Sequence, residues 1–134
     1  MDRIDIVCEL DAPDWSESRA GAAATAPVGE ASAPVRARVS DARERQGRRL
    51  EGTGAACNAA MDARLGRTHL RLSPDARSVL SQAQATGSLN GRGHDRVLRL
   101  ARTIADLAAS SRVEGEHVDE AFGYRLGSST RAAA

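Results

Sequence analysis

One segment of the chain, residues 3–10 with the sequence "RIDIVCEL", alternates between apolar and polar residues as a β-strand does. Four residues would share its apolar face: Ile4, Ile6, Cys8 and Leu10. No other segment reads as a partner for this strand, and an unpaired strand leaves its backbone N–H and C=O groups unsatisfied. We therefore expect a mainly α-helical fold with one orphan β-strand at its start.

Helical spacing of the apolar residues predicts about four helices within residues 34–126. Their predicted ranges are 34–50, 74–85, 91–110 and 114–126. Ser73 followed by Pro74 is typical of a helix start, and Asn90 is a suitable N-cap for the third helix. Between them, residues 51–69 are expected to be irregular. Residues 11–33, rich in Ala, Gly, Ser and Pro, are expected to form a flexible linker, and residues 127–134 a disordered tail.

The composition excludes several classes of function. A chain of 134 residues with a net charge of +1 allows one small domain and gives no bulk charge to hold nucleic acid. All 19 basic residues are arginine, so the lysine of a G-x-x-x-x-G-K-[ST] phosphate-binding loop is absent. The chain has neither a secretory signal pattern nor an apolar run of membrane-spanning length, and we expect a cytoplasmic location.

The residues that most often bind metals show no ligand spacing in this chain. They are two cysteines and three histidines: Cys8, Cys57, His69, His94 and His117. We expect no metal site, and we expect the histidines to lie at the surface or half-buried.

The third helix carries an arginine stripe opposite its apolar face. Arg92, Arg96, Arg99 and Arg102 fall on one side at about 100° per residue, and the other side is apolar: Val97, Ala101, Ile104, Ala105 and Ala108. Two pairs spaced four residues apart, Asp95 with Arg99 and Arg102 with Asp106, favour an ordinary solvated face. A surface facing DNA or another subunit is the alternative.

Arg92 differs from the rest of the stripe. It lies in the first helical turn, where free backbone N–H groups and the helix dipole favour an anion. Gly91 and Gly93 leave the space around it clear of side chains. The pattern indicates a phosphate contact at Arg92.

The segment "GRGHDRVLRLARTIADLAASSRVEGEHVDEAFGYR" resembles the C-terminal helical domain of Mg-chelatase-like AAA+ ATPases, in the competence-type branch linked to DNA branch migration and recombination. The match is most specific over "RVLRLARTIADL", and the chain departs from the family pattern at Asn90, His94 and Phe122. The segments "VRARVSDARERQ", "CNAAMDARL" and "DRIDI" resemble three further parts of the family, and "DRIDI" is similar to the end of its ATPase core.

The resemblance implies a division of the chain and two site residues. Residues 1–10 would be the last strand of a truncated, incomplete α/β AAA+ core, and residues 34–126 the helical lid-type bundle. Arg3 matches the arginine finger that acts in trans on the γ-phosphate of a neighbouring subunit, as a catalytic residue. Arg92 matches the sensor arginine of the lid, which contacts an ATP phosphate. No residue is assigned to a metal.

The resemblance also implies cofactors and partners. ATP and Mg belong to the full-length family, whereas this chain alone is expected to bind neither and not to be an enzyme. The expected partners are ATPase-core subunits of a homo-oligomeric ring, a hexamer, together with branched or single-stranded DNA and no membrane. Three alternatives remain open: the lid of a metal-chelatase motor subunit, a free-standing helical module that binds protein or DNA, and a gene fragment without function.

Overall fold

The computed structural model describes residues 6–8, 29–87 and 89–126, with side chains described up to residue 124. Five α-helices lie in these ranges: α1 (Ser32–Leu50), α2 (Ala63–His69), α3 (Pro74–Ala85), α4 (Gly91–Leu107) and α5 (Gly115–Leu126). A single 3-10 turn, Asn58–Ala60, lies between α1 and α2. The mainly helical fold is confirmed. Of the predicted linker at residues 11–33, residues 11–28 lie outside the described residues, as does the predicted tail at 127–134. The predicted end of the linker is wrong, because α1 begins at Ser32.

α4 forms the centre of the bundle, and alanines let its neighbours approach closely. Ala101 and Ala105 of α4 pack with Ala121 of α5, and all three are fully buried. Val97, Ile104 and Val118 complete this apolar layer. The predicted apolar side of α4 is confirmed except at Ala108, which is exposed because the helix ends at Leu107 and Ala108 is its C-cap.

The predicted caps of α3 and α4 are confirmed. The hydroxyl of Ser73 accepts a hydrogen bond from the N–H of Ala76 at 3.1 Å, with Pro74 in the first turn of α3. The side-chain oxygen of Asn90 accepts from the N–H of Gly93 at 2.7 Å. Each cap satisfies one of the four N–H groups that a helix start leaves free.

The prediction that residues 51–69 are irregular holds for residues 51–57 and is wrong for residues 58–60 and 63–69. The carboxylate of Asp62 accepts a hydrogen bond from the N–H of Leu65 at 2.7 Å and starts α2, which follows the 3-10 turn. A seven-residue helix gives two turns of apolar spacing at most, so periodicity did not reveal it. The cap at Asp62 was the available signal.

Two contacts hold the segments that join the helices. Leu72 and Val113 form a parallel β-bridge, with the N–H of Ser73 donating to the carbonyl of Val113 at 3.0 Å. The three described residues of the predicted N-terminal strand, residues 6–8, are not in a strand. Instead, the N–H of Val7 donates to the carbonyl of Tyr124 at 2.8 Å, which places this segment beside the end of α5. Among the described helices, none combines the length and the apolar character that crossing a membrane requires.

Candidate functional site

Arg92 lies where the sequence predicts it, in the first turn of α4. The Asn90 cap precedes it by two residues, its side chain is exposed, and Gly93 behind it is buried. A guanidinium at this position adds a full positive charge to the partial charge of the helix N-terminus. The arrangement can hold a phosphate group that approaches from solvent.

Arg3 lies outside the described residues, so the structure gives no distance between Arg3 and Arg92. The nearest described segment is Ile6 to Cys8, which the hydrogen bond between Val7 and Tyr124 fastens to α5. Arg3 remains a site residue predicted from the resemblance alone.

A basic cleft opens beside the N-terminal half of α4. The cleft has a volume of about 730 Å³ and lies among α2, the link that follows α2, α3 and α4. Its charged lining residues are Arg67, Arg71, Arg77 and Arg99, with Asp62 and Asp95, and His94 lines it as well. Met61, Leu70 and Leu98 give it an apolar floor.

Arg99 does not form the expected pair with Asp95. Its guanidinium is half-buried and donates hydrogen bonds to the carbonyls of Ala59 and Met61, each at 3.2 Å. It therefore holds the 3-10 turn against α4. The prediction of an ordinary solvated face is therefore wrong at Arg99.

The expected pair of Arg102 with Asp106 is formed, but it is buried and not solvated. The two side chains lie 3.0 Å apart and each is 1% exposed. Two facts explain this burial. Arg102 lies about 80° around the helix from Arg92, at the border of the arginine stripe. In addition, α1 packs against this end of α4. Burial lowers the pKa of the Arg102 guanidinium from its ordinary value, and the charge of Asp106 opposes that shift.

Asp106 is the centre of a hydrogen-bond network that sequence analysis missed. Arg49 of α1 donates to both carboxylate oxygens, at 2.8 and 2.7 Å, and the amide of Asn58 donates to one of them at 2.9 Å. The side-chain oxygen of Asn58, Oδ1, in turn accepts a hydrogen bond from Arg49 at 2.8 Å. Spacing within one helix cannot reveal partners that are 48 and 57 residues away in sequence. The network ties α1 and the 3-10 turn to α4.

His117, at the start of α5, is buried. His117 was expected at the surface or half-buried, and this prediction is wrong: it is 4% exposed. Its Nδ1 accepts a hydrogen bond from the N–H of Glu114 at 3.0 Å, at the start of α5.

The backbone N–H of Ala60 lowers the pKa of the Cys57 thiol from its ordinary value, with smaller contributions from Ala59 and Arg43.

Metal binding finds no support in the described part of the chain, where no three His, Cys, Asp or Glu side chains are grouped as ligands.

The comparisons with known proteins cover most of the chain. Residues 29–125 match the family model described as the C-terminal region of magnesium chelatase subunit ChlI. An uncharacterised protein of Mycobacterium tuberculosis is 35% identical over 125 residues, YifB of Escherichia coli is 33% identical over 125 residues, and competence protein ComM of Haemophilus influenzae is 32% identical over 126 residues. Each alignment covers 93% of this chain, and 24%, 23% and 23% of the respective relative.

These matches assign the chain to a family and to one branch of that family. The helical bundle and the family match make this a magnesium-chelatase-type C-terminal domain. The chain belongs to that family, in the competence-type branch that includes YifB and ComM. It spans about a quarter of the length of the curated relatives it matches.

Proposed function

We propose that this chain acts as the helical lid of a competence-type AAA+ ATPase and supplies Arg92 as the sensor of the ATP phosphates. The position of Arg92 carries the proposal: it is exposed in the first turn of α4, behind the Asn90 cap, within the family match. An arginine at this position can contact the negative charge of a bound phosphate, and it moves when the lid moves.

Arg3 has the second role in this proposal. As an arginine finger it would offset the charge that develops on the transferring phosphoryl group of a neighbouring subunit. The full-length protein would form a hexameric ring in the cytoplasm, hydrolyse ATP with Mg and move on branched DNA during recombination. This chain alone would not be an enzyme, because it has no lysine for a phosphate-binding loop.

A chimera tests the trans-acting role of Arg3. Residues 1–126 of this chain would replace the matching C-terminal part of ComM, and ATP turnover would be compared with that of the parent. Subunits with Arg3→Ala should regain turnover when mixed with subunits that lack only the phosphate-loop lysine of the ComM core. Assembled mixed rings that stay inactive would argue against the finger.

The lid of a metal-chelatase motor is a second candidate, because the matching family model is described by a magnesium chelatase subunit. A free-standing helical binding module is the candidate from another class. Calorimetry of the isolated chain with ATP and Mg tests the lid proposal, which predicts no micromolar binding without the core. Tight binding by the chain alone would contradict it.

A further inference from the structure

The basic cleft beside α4 has the size and the lining of a small-molecule site. Its volume of about 730 Å³ falls within the range of roughly 300–1,000 Å³ that is typical of pockets for small ligands. We propose that the cleft binds a small organic dianion, either a phosphate monoester or a dicarboxylate, with an apolar body. Arg92 does not line the cleft, so this inference goes beyond the proposed ATP-sensing role.

The cations of the cleft come from separate elements and are available to a ligand. Arg67 lies in α2, Arg71 in the link that follows it and Arg77 in α3. Within the described ranges their guanidinium groups form no hydrogen bond or ion pair, and all three residues are exposed. A guanidinium can donate two parallel hydrogen bonds to one phosphate or carboxylate group. The fold therefore gathers three such donors, far apart in sequence, around one space.

The charge of the cleft predicts the charge of its ligand. Four arginines and two aspartates line the cleft, which leaves a surplus of two positive charges. One of the two acids, Asp62, is already engaged as the cap of α2. A dianion would neutralise the surplus, whereas a neutral molecule would gain nothing from it.

The buried network adjoins the cleft and adds to its positive potential. Arg102 donates a hydrogen bond to the carbonyl of Leu70, a residue of the cleft floor, at 3.4 Å. Arg49 and Arg102 share the carboxylate of Asp106, so these three groups together keep one surplus positive charge. Burial lowers the pKa of the Arg102 guanidinium, and the charges of Arg49 and Arg71 lower it further. An anion bound at the cleft would weaken the repulsion between Arg71 and Arg102.

The floor of the cleft favours a ligand with an apolar body. Met61, Leu70 and Leu98 belong to the hydrophobic core and also line the cleft. A ligand that covers them removes its own apolar surface from water, which strengthens binding. An inorganic anion reaches only the arginines, so it should bind more weakly than an organic dianion of equal charge.

The backbone of Arg71 indicates that its side chain has a role beyond the fold. Its φ is +49°, in the left-handed region that favours glycine, directly after the C-cap of α2. Its carbonyl accepts a hydrogen bond from the N–H of Val113 at 3.1 Å, which fixes the backbone in this conformation. Residues held in sparsely populated conformations concentrate at binding sites. Local stability favours glycine here, whereas a binding site requires the guanidinium.

Calorimetry and amide NMR spectra of the full chain test the proposal. The probes are phenyl phosphate and phenylsuccinate, which carry the two kinds of anionic group on the same apolar ring. Inorganic phosphate is the anion without the ring, and benzyl alcohol is the ring without the charge. The tighter of the two dianions identifies the anionic group, and binding of either supports the proposal.

Three variants test the site. Arg67→Ala/Arg71→Ala/Arg77→Ala removes the available guanidinium groups of the cleft. Arg36→Ala/Arg64→Ala/Arg112→Ala is the matched control, because it removes the same charge from exposed arginines that do not line the cleft. Arg71→Gly separates binding from folding, since glycine suits the φ of this position and the variant should be at least as stable as the wild-type chain. Circular dichroism checks that all three are folded.

The better dianion should bind the wild-type chain with a Kd below about 1 mM, and inorganic phosphate at least about fivefold more weakly. It should shift the amide signals of Arg71, Arg77 and Leu98. The cleft triple variant should lose at least about tenfold in affinity and Arg71→Gly at least about threefold, because each loses charge-assisted hydrogen bonds. The matched control should stay within about twofold of the wild-type chain.

Several results would overturn the proposal. They are no binding of either dianion at about 10 mM, equal losses in the cleft and control variants, and binding of inorganic phosphate or benzyl alcohol as tight as that of the dianions. Arg92→Ala should leave the affinity unchanged, and a loss in that variant as large as in the cleft variant would place the anion at the start of α4 instead. Failure of the cleft proposal is therefore distinguishable from failure of the ATP-sensing role of Arg92.

Discussion

Arg49 and Asp106, 57 residues apart in sequence, form a two-point ion pair at 2.7 and 2.8 Å, and Asp106 is fully buried. Two arginines share this one carboxylate, because Arg102 approaches it at 3.0 Å. Buried cations are tolerated only while their counter-charge is present. Asp106 therefore holds α1 on the domain, together with the buried side chains of Leu50 and Gln46.

Replacing Asp106 by Asn should strongly destabilise the domain, because the buried Arg102 and the partly buried Arg49 would keep their charges without a counter-ion. We expect a loss of about 3 to 5 kcal/mol in the free energy of unfolding, measured by urea denaturation. Asp119→Asn, an exposed change on α5, is the control and should stay within about 0.5 kcal/mol. Equal stability of the two variants would contradict the role of the network.

Ala109→Gly should stabilise the domain. Ala109 has a φ of +58° directly after the C-cap of α4, and the N–H of Ser110 closes the turn on the carbonyl of Ala105 at 2.8 Å. Glycine adopts this conformation without a steric penalty. We therefore expect the free energy of unfolding, measured by thermal denaturation, to rise by about 0.5 to 1 kcal/mol. Ala108→Gly is the control, since Ala108 has a φ of −76°, and it should give no gain.

Gly115→Ala should destabilise the start of α5. A Cβ on Gly115 would come within 2.0 Å of Oδ2 of Asp75, which must then rotate away. We expect the free energy of unfolding, measured by urea denaturation, to fall by about 1 kcal/mol. In an Asp75→Ala background most of that loss should disappear. Gly47→Ala in α1, where nothing lies within 4 Å, should instead be neutral or stabilising.

The Cys57 thiol should react at a lower pH in the folded chain than in the unfolded one. The N–H of Ala60 favours the thiolate and lowers the pKa, so at a given pH more thiolate is present in the fold. Iodoacetamide rates against pH, measured in a Cys8→Ser background, should show a midpoint below that of the same protein in urea. Coincident midpoints would contradict this environment.

How far the sequence predicts this structure depends on the range of the interaction. Local features were predictable: the caps at Ser73 and Asn90, the apolar stripe of α4 and the position of Arg92. Features that join distant segments were not, because α2 is too short for periodicity and Arg49 meets Asp106 only in three dimensions. For the same reason, the sequence did not predict that the arginines of the stripe have different surroundings. α1 and the 3-10 turn cover the C-terminal half of the stripe, whereas Arg92 is exposed.

The central claim is that Arg92 responds to ATP, and the ComM chimera measures it most directly. Arg92→Ala should lower ATP turnover by at least about tenfold. The control in the same assembled chimera is Arg64→Ala, a change at an exposed arginine outside the cleft. We predict that Arg92→Ala also weakens nucleotide binding, as the loss of a ground-state phosphate contact does, whereas Arg64→Ala leaves both quantities unchanged. Unchanged turnover and nucleotide binding in an assembled Arg92→Ala chimera would contradict the account.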